Sequence, residues 1–415
     1  MTSLTSASTT QATDMQEQVS AISIRNLDVI FGNWSHDSLR MLDAGKTRQE
    51  IIETTGDVVG VKNASIEVKQ GEICVLMGLS GSGKSSLLRA VNGLNKVSRG
   101  ELLVRDGERM VNIAECDANT LRHMRSKRVS MVFQKFALMP WLTVLDNVAF
   151  GLEMQGIDKA TRRQMAMEKL KMVGLDEWHD KYPHELSGGM QQRVGLARAF
   201  AIDSDILLMD EPFSALDPLI RSQLQDELIE LQKRLNKTIL FVSHDLDEAL
   251  KIGTNIAIME SAEIIQHGKP EDIVLNPSNA YVQDFVAHTN PLNVLRGRAL
   301  MTDISDLERR DDALVLDRHT DTLVTLNADG TPASASRNGQ SLSLQQWTEG
   351  QDLDLIQPDQ LMVATPDISM RDAIEIRHRT SLPVLLCEDD KCTGMLEDDD
   401  FYHALLGKHF NKETE

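Results

Sequence analysis

The spacing of apolar residues along the chain predicts alternating strands and helices. Three short, mainly apolar runs, Ile73–Met77, Ile206–Met209 and Thr238–Ser243, have the length of buried strands. Apolar residues recur at helical spacing after the first of these runs, and most clearly in Thr161–Met172. The pattern therefore predicts an α/β fold.

A less regular pattern precedes the first buried run. Ala21–Gly32 alternates imperfectly, as a half-exposed strand at a sheet edge would. A helical insertion follows, in which Asp37 can cap one short helix and Thr47–Glu50 forms a capping box for the next. Ala64–Val68 predicts a second strand, so the insertion separates two strands.

The first buried run leads into a glycine-rich loop. Gly78–Ser86 fits the pattern G-x-x-x-x-G-K-[ST] between a strand and a helix N-terminus. Backbone N–H groups and the helix dipole favour an anion there, Lys84 adds a charge near the terminal phosphates, and Ser85 can hold Mg²⁺. A glycine-rich turn that binds nothing is the alternative, and the flanking strand and helix disfavour it.

A second glycine-rich element also begins a helix. Leu186–Arg193 continues into a helix through Phe200, which places Ser187, Gly188 and Gly189 at an anion-binding N-terminus. One nucleotide does not need two such elements on one chain. The second element is therefore predicted to close over a nucleotide held by another copy, which gives a head-to-tail homodimer with two shared sites.

Polar residues follow the remaining strands at their C-terminal ends, where open α/β sheets carry ligand contacts. Asp210 can hold Mg²⁺ and Glu211 can orient or deprotonate an attacking water, whereas helix capping is the alternative role of this pair. Gln134 ends another strand. His244 can hydrogen-bond a terminal phosphate or the water beside Glu211.

Two exposed apolar segments leave their roles open. Phe31 and Trp34 can stack on a nucleotide base, although core packing is the favoured role of each. Leu138–Trp141 is interrupted by a proline, and it is either a docking site for another protein or a loop packed on its own domain.

Composition and charge exclude several classes of protein. The formal net charge of -20 argues against a nucleic-acid surface, and residues 291–415 carry 24 acidic and 12 basic side chains. No apolar run reaches the ~20 residues that cross a bilayer. Residues 1–20 are predicted to be disordered. The four cysteines form neither a C-x-x-C metal pair nor a disulfide framework, which suits a reducing cytoplasm.

These motifs, in this order, resemble the Walker A, Q-loop, signature, Walker B, D-loop and H-loop of the ATP-binding-cassette (ABC) ATPases. The resemblance covers about residues 21–268 and implies a RecA-like mixed sheet with an antiparallel β edge and a helical subdomain. It implies that Glu211, His244 and Gln134 are catalytic and that Ser85, Gln134 and Asp210 hold Mg²⁺. The implied ATP contacts are Phe31, Gly78, Ser80, Gly81, Ser82, Gly83, Lys84, Ser85, Ser86, Gln134, Ser187, Gly188, Gly189, Gln191, Asp217 and His244.

A closer likeness is to the energising subunits of bacterial importers of quaternary amines. It rests on the insertion before Val61–Ser65, on Val132–Pro140 and on Phe213–Arg221. It implies a peripheral subunit at the cytoplasmic face of the membrane that works with two permease subunits and, indirectly, with a solute-binding protein. Its solute would be choline or glycine betaine, a choice made by kinship alone.

The C-terminal part resembles one cystathionine-β-synthase (CBS) repeat over Met362–Leu406. Its upstream partner, Asp312–Trp347, has strands but no clear helix, so the pair is degenerate. In relatives such modules are linked to sensing ionic strength at an anionic membrane. The expected division is a tail (1–20), an ATPase domain (21–286) with a helical insertion (35–57) and a helical subdomain (about 135–200), a linker (287–310) and a CBS-like regulatory domain (311–410).

Three other functions stay open at this stage. An importer of another solute class fits the same motifs. A soluble cassette ATPase of DNA repair or translation is less favoured because the chain has one cassette, no long heptad run and a strong negative charge. A regulatory binding module is disfavoured by the intact Glu211 and His244.

Overall fold

The computed structural model describes residues 19–134, 137–214, 216–287 and 289–406. From residue 19 to 134 its elements are β1 (Ser20–Phe31), α1 (Ser35–Asp43), α2 (Arg48–Thr55), β2 (Val58–Lys69), β3 (Ile73–Met77), α3 (Lys84–Val91), β4 (Arg99–Asp106), β5 (Arg109–Asn112), α4 (Ala118–His123), a π-helical turn (Met124–Arg128) and β6 (Val129–Val132).

The middle of the chain holds most of the long helices. Its elements are α5 (Val144–Met154), α6 (Lys159–Met172), α7 (Gly188–Ala201), β7 (Ile206–Asp210), α8 (Pro218–Leu235), β8 (Thr238–Val242), α9 (Leu246–Ile252), β9 (Asn255–Glu260), β10 (Glu263–Gly268), α10 (Pro270–Leu275) and α11 (Ala280–Val286).

The C-terminal part is mainly strands. Its elements are α12 (Gly297–Leu300), β11 (Thr302–Asp303), β12 (Arg309–Arg310), β13 (Ala313–Asp317), β14 (Thr322–Leu326), β15 (Pro332–Arg337), β16 (Gln340–Gln346), β17 (Gln360–Ala364), α13 (Met370–Thr380), β18 (Val384–Glu388), β19 (Lys391–Leu396) and α14 (Asp398–Leu406). Throughout the described ranges, no helix is both long and apolar enough to span a bilayer.

The chain forms two compact units. Among the described residues, the first contains 19–72 and 86–240, and the second contains 73–85 and 241–406. In the second unit, β9 is parallel to β3 and antiparallel to β10. In the first unit, β7 is parallel to β6.

The first unit also contains a four-stranded antiparallel sheet in the order β2-β1-β4-β5. The prediction of an edge strand over Ala21–Gly32 is wrong, because β1 pairs with β2 on one side and with β4 on the other. Most of its side chains are buried, which explains why its alternation is imperfect. The second strand is also longer than predicted, since β2 extends back to Val58.

The insertion between β1 and β2 folds as two short helices. Thr47 and Glu50 form the predicted capping box of α2. The predicted cap of the first helix is wrong, because α1 begins after Trp34 and Asp37 lies in its first turn, where an acid favours the helix dipole. Ser38 is buried and donates a hydrogen bond of 2.7 Å to Asp57, which fixes the insertion against the start of β2.

A helical cluster in the first unit is formed by α5, α6 and α7. Their apolar faces meet in a core that includes Val148, Leu152, Leu170 and Val194. This cluster covers the range of the predicted helical subdomain. In the sequence, this cluster lies between β6 and β7, which are parallel strands.

The C-terminal strands form one sheet in the order β11-β19-β18-β17-β16-β15-β14-β13-β12. The elements β17, α13, β18, β19 and α14 cover the range of the resemblance at Met362–Leu406. The first half of the sheet is an antiparallel meander whose described residues include no helix between Ala313 and Gln346, as predicted. Leu361 and Val363 face the meander core, whereas Met362 and Ala364 face the helices, so β17 is buried on both faces.

A buried ion cluster at the end of β4 fixes the approach to β6. The Asp106 carboxylate accepts hydrogen bonds from Arg109 at 2.7 Å and from Arg128 at 2.7 Å, and it lies 3.2 Å from the His123 ring. Burial opposes the charged form, but the hydrogen bonds from Arg109, Arg128 and His123 outweigh it and hold the pKa of Asp106 well below its usual range.

Substituting Asp106→Asn should lower the free energy of unfolding by about 1–3 kcal/mol at pH 7, because the buried carboxylate loses its charge-assisted hydrogen bonds from Arg109 and Arg128. The depressed folded-state pKa means that this stabilisation is present above the ordinary aspartate pKa and is lost as the pH falls through the folded value. Urea unfolding of both proteins at pH 7 and at about pH 3 measures this. An equal difference at both pH values would contradict it.

Candidate functional site

The phosphate loop joins β3 to α3 in the second unit. All five residues of β3 are buried, and Gly78, Gly81 and Gly83 have φ values of 141°, 79° and 103°. A side chain at Gly78 would collide with the carbonyl oxygen of Met259. Glycine is therefore required there, and the helix N-terminus that follows suits an anion.

Lys84 lies in this loop with its positive charge turned toward the curled backbone. Its ammonium donates hydrogen bonds to the carbonyl oxygens of Gly78 at 2.7 Å and Leu79 at 2.9 Å. Only 6% of the residue is exposed. The loop thus brings N–H groups, a helix N-terminus and a lysine together, and this donor set fits the phosphates of a nucleotide.

Tyr281 of α11, which lies 202 residues after Leu79, also contacts the loop. Its hydroxyl accepts a hydrogen bond of 3.2 Å from the backbone N–H of Leu79 and lies 3.5 Å from the Met259 carbonyl oxygen. The tyrosine therefore connects the phosphate loop to α11.

His244 follows β8 in the same unit and is exposed. The preceding Ser243 is buried, donates its hydroxyl to Glu248 at 2.5 Å and its N–H to the Leu76 carbonyl oxygen at 3.2 Å. Asp245 caps α9, and its side chain accepts a hydrogen bond from the N–H of Glu248. These bonds fix the backbone on both sides of His244 at the end of β8.

In the first unit, Asp210 ends β7 and is completely buried. The Arg89 guanidinium donates two hydrogen bonds to its Oδ2 atom, of 3.2 Å from Nε and 2.8 Å from Nη2. Arg89 lies on α3, one and a half turns after Lys84, so it links the phosphate-loop helix to the acid at the end of β7.

Glu211 has a left-handed backbone conformation, with φ at 48°. Its carbonyl oxygen accepts hydrogen bonds from the Gln192 amide at 3.4 Å and the Ser214 hydroxyl at 3.0 Å. Its carboxylate accepts a bond of 3.0 Å from the Gln134 side-chain amide. Because β6 and β7 are parallel, the residues that follow them meet at one edge, as predicted for Gln134 and Glu211.

The second glycine-rich element begins α7. Ser187 is its N-cap and accepts a hydrogen bond of 3.3 Å from the N–H of Met190. Ser187 and Gly188 are exposed, while Gly189 and Gln191 are half-buried, and the Gln191 amide donates to the Leu186 carbonyl oxygen at 3.2 Å. The predicted helix N-terminus is therefore present and accessible.

Asp217 caps the next long helix. Its carboxylate accepts a hydrogen bond of 3.0 Å from the N–H of Ile220, and Pro218 occupies the first turn of α8. The predicted segment Ser214–Asp217 includes residue 215, which lies outside the described residues. Asp217 is exposed, so the capping role leaves it accessible to a second copy.

Phe31 lies at the end of β1, with 39% of its surface exposed. Its ring covers Gly60 of β2 so closely that a side chain at Gly60 would collide with it, and the Ser86 hydroxyl borders the same position. The ring thus lies partly exposed beside the helix that follows the phosphate loop. Trp34 is 60% exposed, which disfavours core packing as its role.

The segment around Leu138–Trp141 is partly packed and partly exposed. Asn147 holds it by accepting from the N–H of Met139 at 2.8 Å and donating to that residue's carbonyl oxygen at 3.1 Å. Leu138 packs on the helical core, whereas Trp141 is 72% exposed. A groove of about 750 Å³ lies beside this segment and is lined in part by Leu94, Arg125, Met139, Phe150, Met154 and Arg198.

Comparison with known proteins identifies the family. The family model described as ABC transporter matches residues 61–214. The "Glycine betaine transport ATP-binding protein OpuAA" of Bacillus subtilis (strain 168) is 50% identical over 287 residues, which are 69% of this chain and 68% of that protein. The chain belongs to the ATP-binding proteins of ABC transporters. This confirmed family includes the ATPase subunits of quaternary-amine importers, whose motifs this chain resembles.

A second relative extends the likeness through the C-terminal part of the chain. The "Glycine betaine/carnitine transport ATP-binding protein GbuA" of Listeria monocytogenes serotype 1/2a (strain 10403S) is 38% identical over 405 residues, which are 95% of this chain and 99% of that protein. The C-terminal strands are therefore part of the architecture that this ABC protein shares with its relative.

A solved structure supports the fold and the nucleotide. The ATP-binding cassette MJ0796, determined as a dimer in a post-hydrolysis state bound to ADP and Pi, matches with a TM-score of 0.52 at 30% identity. The match covers 60% of this chain and 98% of that one. The predicted ABC ATPase fold is confirmed, and it is a fold that binds ATP and ADP.

Sequence reasoning missed three residues that hold the motifs in place. Arg89 and Gln192 lie within predicted helices, where a polar residue ordinarily faces solvent, and Tyr281 is distant from every motif. Only the fold shows what these residues contact. Arg89 contacts Asp210, Gln192 contacts the Glu211 carbonyl oxygen, and Tyr281 contacts the Leu79 N–H. A polar residue on the motif-bearing face of a helix is the one signal that points to Arg89.

Tyr281→Phe should weaken ATP binding about five-fold, because the loss of one hydrogen bond to the phosphate loop costs about 1 kcal/mol. The ring remains, so packing of α11 is retained. Titration with a fluorescent ATP analogue measures the dissociation constant, with Tyr402→Phe on the exposed face of α14 as the matched control. Equal affinities in Tyr281→Phe and Tyr402→Phe would show that the bond does not position the loop.

Proposed function

We propose that this ABC protein is the ATP-hydrolysing subunit of an importer for quaternary amines. The observation that carries the proposal is the 3.0 Å contact between the Gln134 amide and the Glu211 carboxylate. It joins a group suited to magnesium and a group suited to proton transfer at the edge where parallel strands end. The order of the motifs and the similarity to betaine-system proteins support the same function.

The residues divide the work of hydrolysis between binding and proton transfer. The phosphates are held by Gly78 and by Ser80–Ser86, which include Lys84. Phe31, at the end of β1, stacks on the adenine. Glu211 accepts the proton of the attacking water, while His244 holds that water and the γ-phosphate in position. The left-handed turn at Glu211 supports this role, since strained backbone is concentrated at functional sites.

The same site would hold Mg²⁺ through oxygen atoms. Ser85, Asp210 and Gln134 supply a hydroxyl, a carboxylate and an amide oxygen, which are donors that this ion prefers. The ion would neutralise negative charge on the phosphates. The Arg89 contact fixes the orientation of the Asp210 carboxylate for that purpose.

A homodimer would complete two such sites. Ser187, Gly188, Gly189 and Gln191 at the start of α7 approach the γ-phosphate held by the other copy, and Asp217 contacts the same shared site. The exposure of Ser187 and Asp217 supports this arrangement, because neither needs refolding to reach a partner. Closure on ATP and opening after hydrolysis then drive transport.

Two permease subunits are the partners that receive this motion, at the cytoplasmic face of the membrane. The groove beside Met139 supports their docking: it offers Leu94 and Met154 as exposed apolar contacts, together with Arg125. Trp141 extends the apolar surface. A solute-binding protein acts indirectly, through the permeases.

The transported solute is glycine betaine or choline, by the names of the related proteins. An importer of another solute class is the alternative, because this subunit does not itself contact the solute. A soluble cassette ATPase is a weaker alternative, since the similarity to GbuA includes the C-terminal strands as well as the cassette.

The C-terminal domain, with residues 311–410 as a degenerate CBS-like module, acts as a regulator. Some of its basic side chains are held in ion pairs, such as Arg377 with Asp398 at 2.7 Å and Arg379 with Glu375 at 2.8 Å. Acidic side chains outnumber basic ones by 24 to 12 in residues 291–415, so this part of the chain has a net negative charge. An anionic membrane repels such a surface, more strongly at low ionic strength.

Glu211→Gln should lower ATP turnover by about 10²-fold or more, because the amide cannot take a proton, while ATP binding is retained. Phosphate release and nucleotide binding are measured on the same preparations. Glu168→Gln on the exposed face of α6 is the matched control and should behave as the parent.

The transport function is tested with the same variants in cells lacking this gene. Uptake of labelled glycine betaine or choline should be lost, restored by the parent and by Glu168→Gln, and not by Glu211→Gln. Hydrolysis at the parent rate by Glu211→Gln would refute the base assignment. Normal uptake of both solutes without the gene would refute the quaternary-amine function and leave the ATPase assignment standing.

Deleting residues 291–415 should raise ATPase activity of the membrane-embedded transporter at low salt and have little effect near 1 M salt, where charges are screened within ~3 Å. Activity in vesicles with anionic lipids is measured across this range. Because Leu275 packs into the C-terminal core, Asp389→Asn with Asp390→Asn in the full chain separates charge from lost packing. Identical salt dependence in parent and both variants would contradict the regulatory role.

A further inference from the structure

Two cysteine thiols lie opposite each other near the end of the β18–β19 hairpin. Cys387 and Cys392 are cross-strand partners, and their Sγ atoms are 3.2 Å apart. The turn between the strands is formed by Asp389 and Asp390, with φ values of 49° and 64°. Two consecutive positive φ values are typical of the tight two-residue turn that fixes the register of a hairpin.

The backbone around the pair matches the closer of the two kinds of antiparallel pairing. The N–H of Cys392 donates to the carbonyl oxygen of Gly330 at 3.0 Å, and therefore not to Cys387. Directly opposed residues that exchange no backbone hydrogen bonds have the shorter Cα separation, of ~4.5 Å. That separation lies within the range of disulfide-bonded residues.

The two sulfur atoms need to approach by only about 1 Å to reach bonding distance. Cys387 and Cys392 are 4% and 8% exposed and border the meander core, so both thiols retain a small accessible surface. The other thiols differ: Cys74 is fully buried in β3, and Cys116 is half-buried without a second thiol at hydrogen-bonding distance among the described contacts.

We propose that Cys387 and Cys392 are a modification site at which a low-molecular-weight disulfide, such as oxidised glutathione, produces a reversible intramolecular disulfide. This inference concerns the C-terminal domain and does not depend on the transported solute. Cys387 and Cys392 are both thiols in the structure, which is the reduced state of this pair.

The reaction is two successive thiol–disulfide exchanges. The Cys392 thiolate attacks one sulfur of the glutathione disulfide, forms a mixed disulfide and expels one glutathione thiolate. Cys387 then loses its proton to solvent and attacks the Cys392 sulfur, which expels the second glutathione. Two protein thiols are oxidised, and one small disulfide is reduced to two thiols.

Either thiol can donate in the hydrogen bond between them. The bond to Cys387 lowers the pKa of Cys392, although burial opposes this shift. The same bond, with burial and the charge of Asp390, raises the pKa of Cys387. Cys392 is therefore the more easily formed thiolate, and Cys387 is the resolving thiol.

The proposed disulfide would act on the strand that holds the N-terminal segment of the C-terminal domain. Glu388, next to Cys387, pairs with Arg298 of α12 at 2.6 Å. The N–H of Gly297 donates to the Ile368 carbonyl oxygen at 2.9 Å, and a side chain at Gly297 would contact Leu386 of β18. A covalent link between β18 and β19 therefore stiffens the strand on which the chain entering this domain is anchored.

The test uses the reduced full-length protein incubated with oxidised glutathione and then treated with iodoacetamide to block remaining thiols. Trypsin cleaves after Lys391, so Cys387 and Cys392 are in separate peptides that stay joined only by the proposed disulfide. We expect the joined pair to appear under native conditions and to disappear after treatment with dithiothreitol.

Two variants and one control make the outcome specific. Cys387→Ser should abolish the joined pair and accumulate glutathione on Cys392, whereas Cys392→Ser should abolish the pair and accumulate little glutathione on Cys387. Cys116→Ser should retain the pair in full. Circular dichroism verifies that each variant is folded.

Several results would overturn the proposal. One is a native protein that carries glutathione at Cys116 but contains no joined pair. Another is a joined pair that forms only in urea, since it would then be a property of the unfolded chain. Equal yields from the parent and Cys387→Ser would assign the link to other cysteines.

Discussion

The left-handed turn at Glu211 is the constraint on which the rest of the site depends. A residue other than glycine in this conformation costs of the order of 1–3 kcal/mol, so its surroundings must hold it. Gln192 and Ser214 do so by donating to its carbonyl oxygen. The start of α7 and the segment before α8 are thereby attached to the residue that follows β7.

This attachment makes the position of one carboxylate depend on several motifs. Gln134 contacts the Glu211 side chain from the end of β6, and Arg89 contacts the neighbouring Asp210 from α3. A displacement of the chain after β6 would therefore change the hydrogen bond between Gln134 and the Glu211 side chain. Such a connection is suited to the proposed function, in which hydrolysis responds to a partner that docks near Met139.

Much of the site could be predicted from the sequence because its parts are local. The loop at Gly78–Ser86, the helix start at Ser187 and the strand ends at Gln134 and Asp210 each follow from a short pattern. The prediction that β1 lies at a sheet edge was wrong. Burial on both faces of β1 disturbs the alternation from which edge strands are recognised. Tyr281 and the thiol pair depend on contacts with distant residues or on strand register, which no local pattern contains.

The single sheet of the C-terminal domain has a consequence for pairing with other chains. β16 is antiparallel to β15 and parallel to β17, so the meander and the helix-bearing half share one ladder of hydrogen bonds. Both ends of this ladder are strands of only two residues, which offer little edge for pairing with another chain. A chain shortened within the domain would instead expose the edge of a longer strand, which would be open to pairing with another chain.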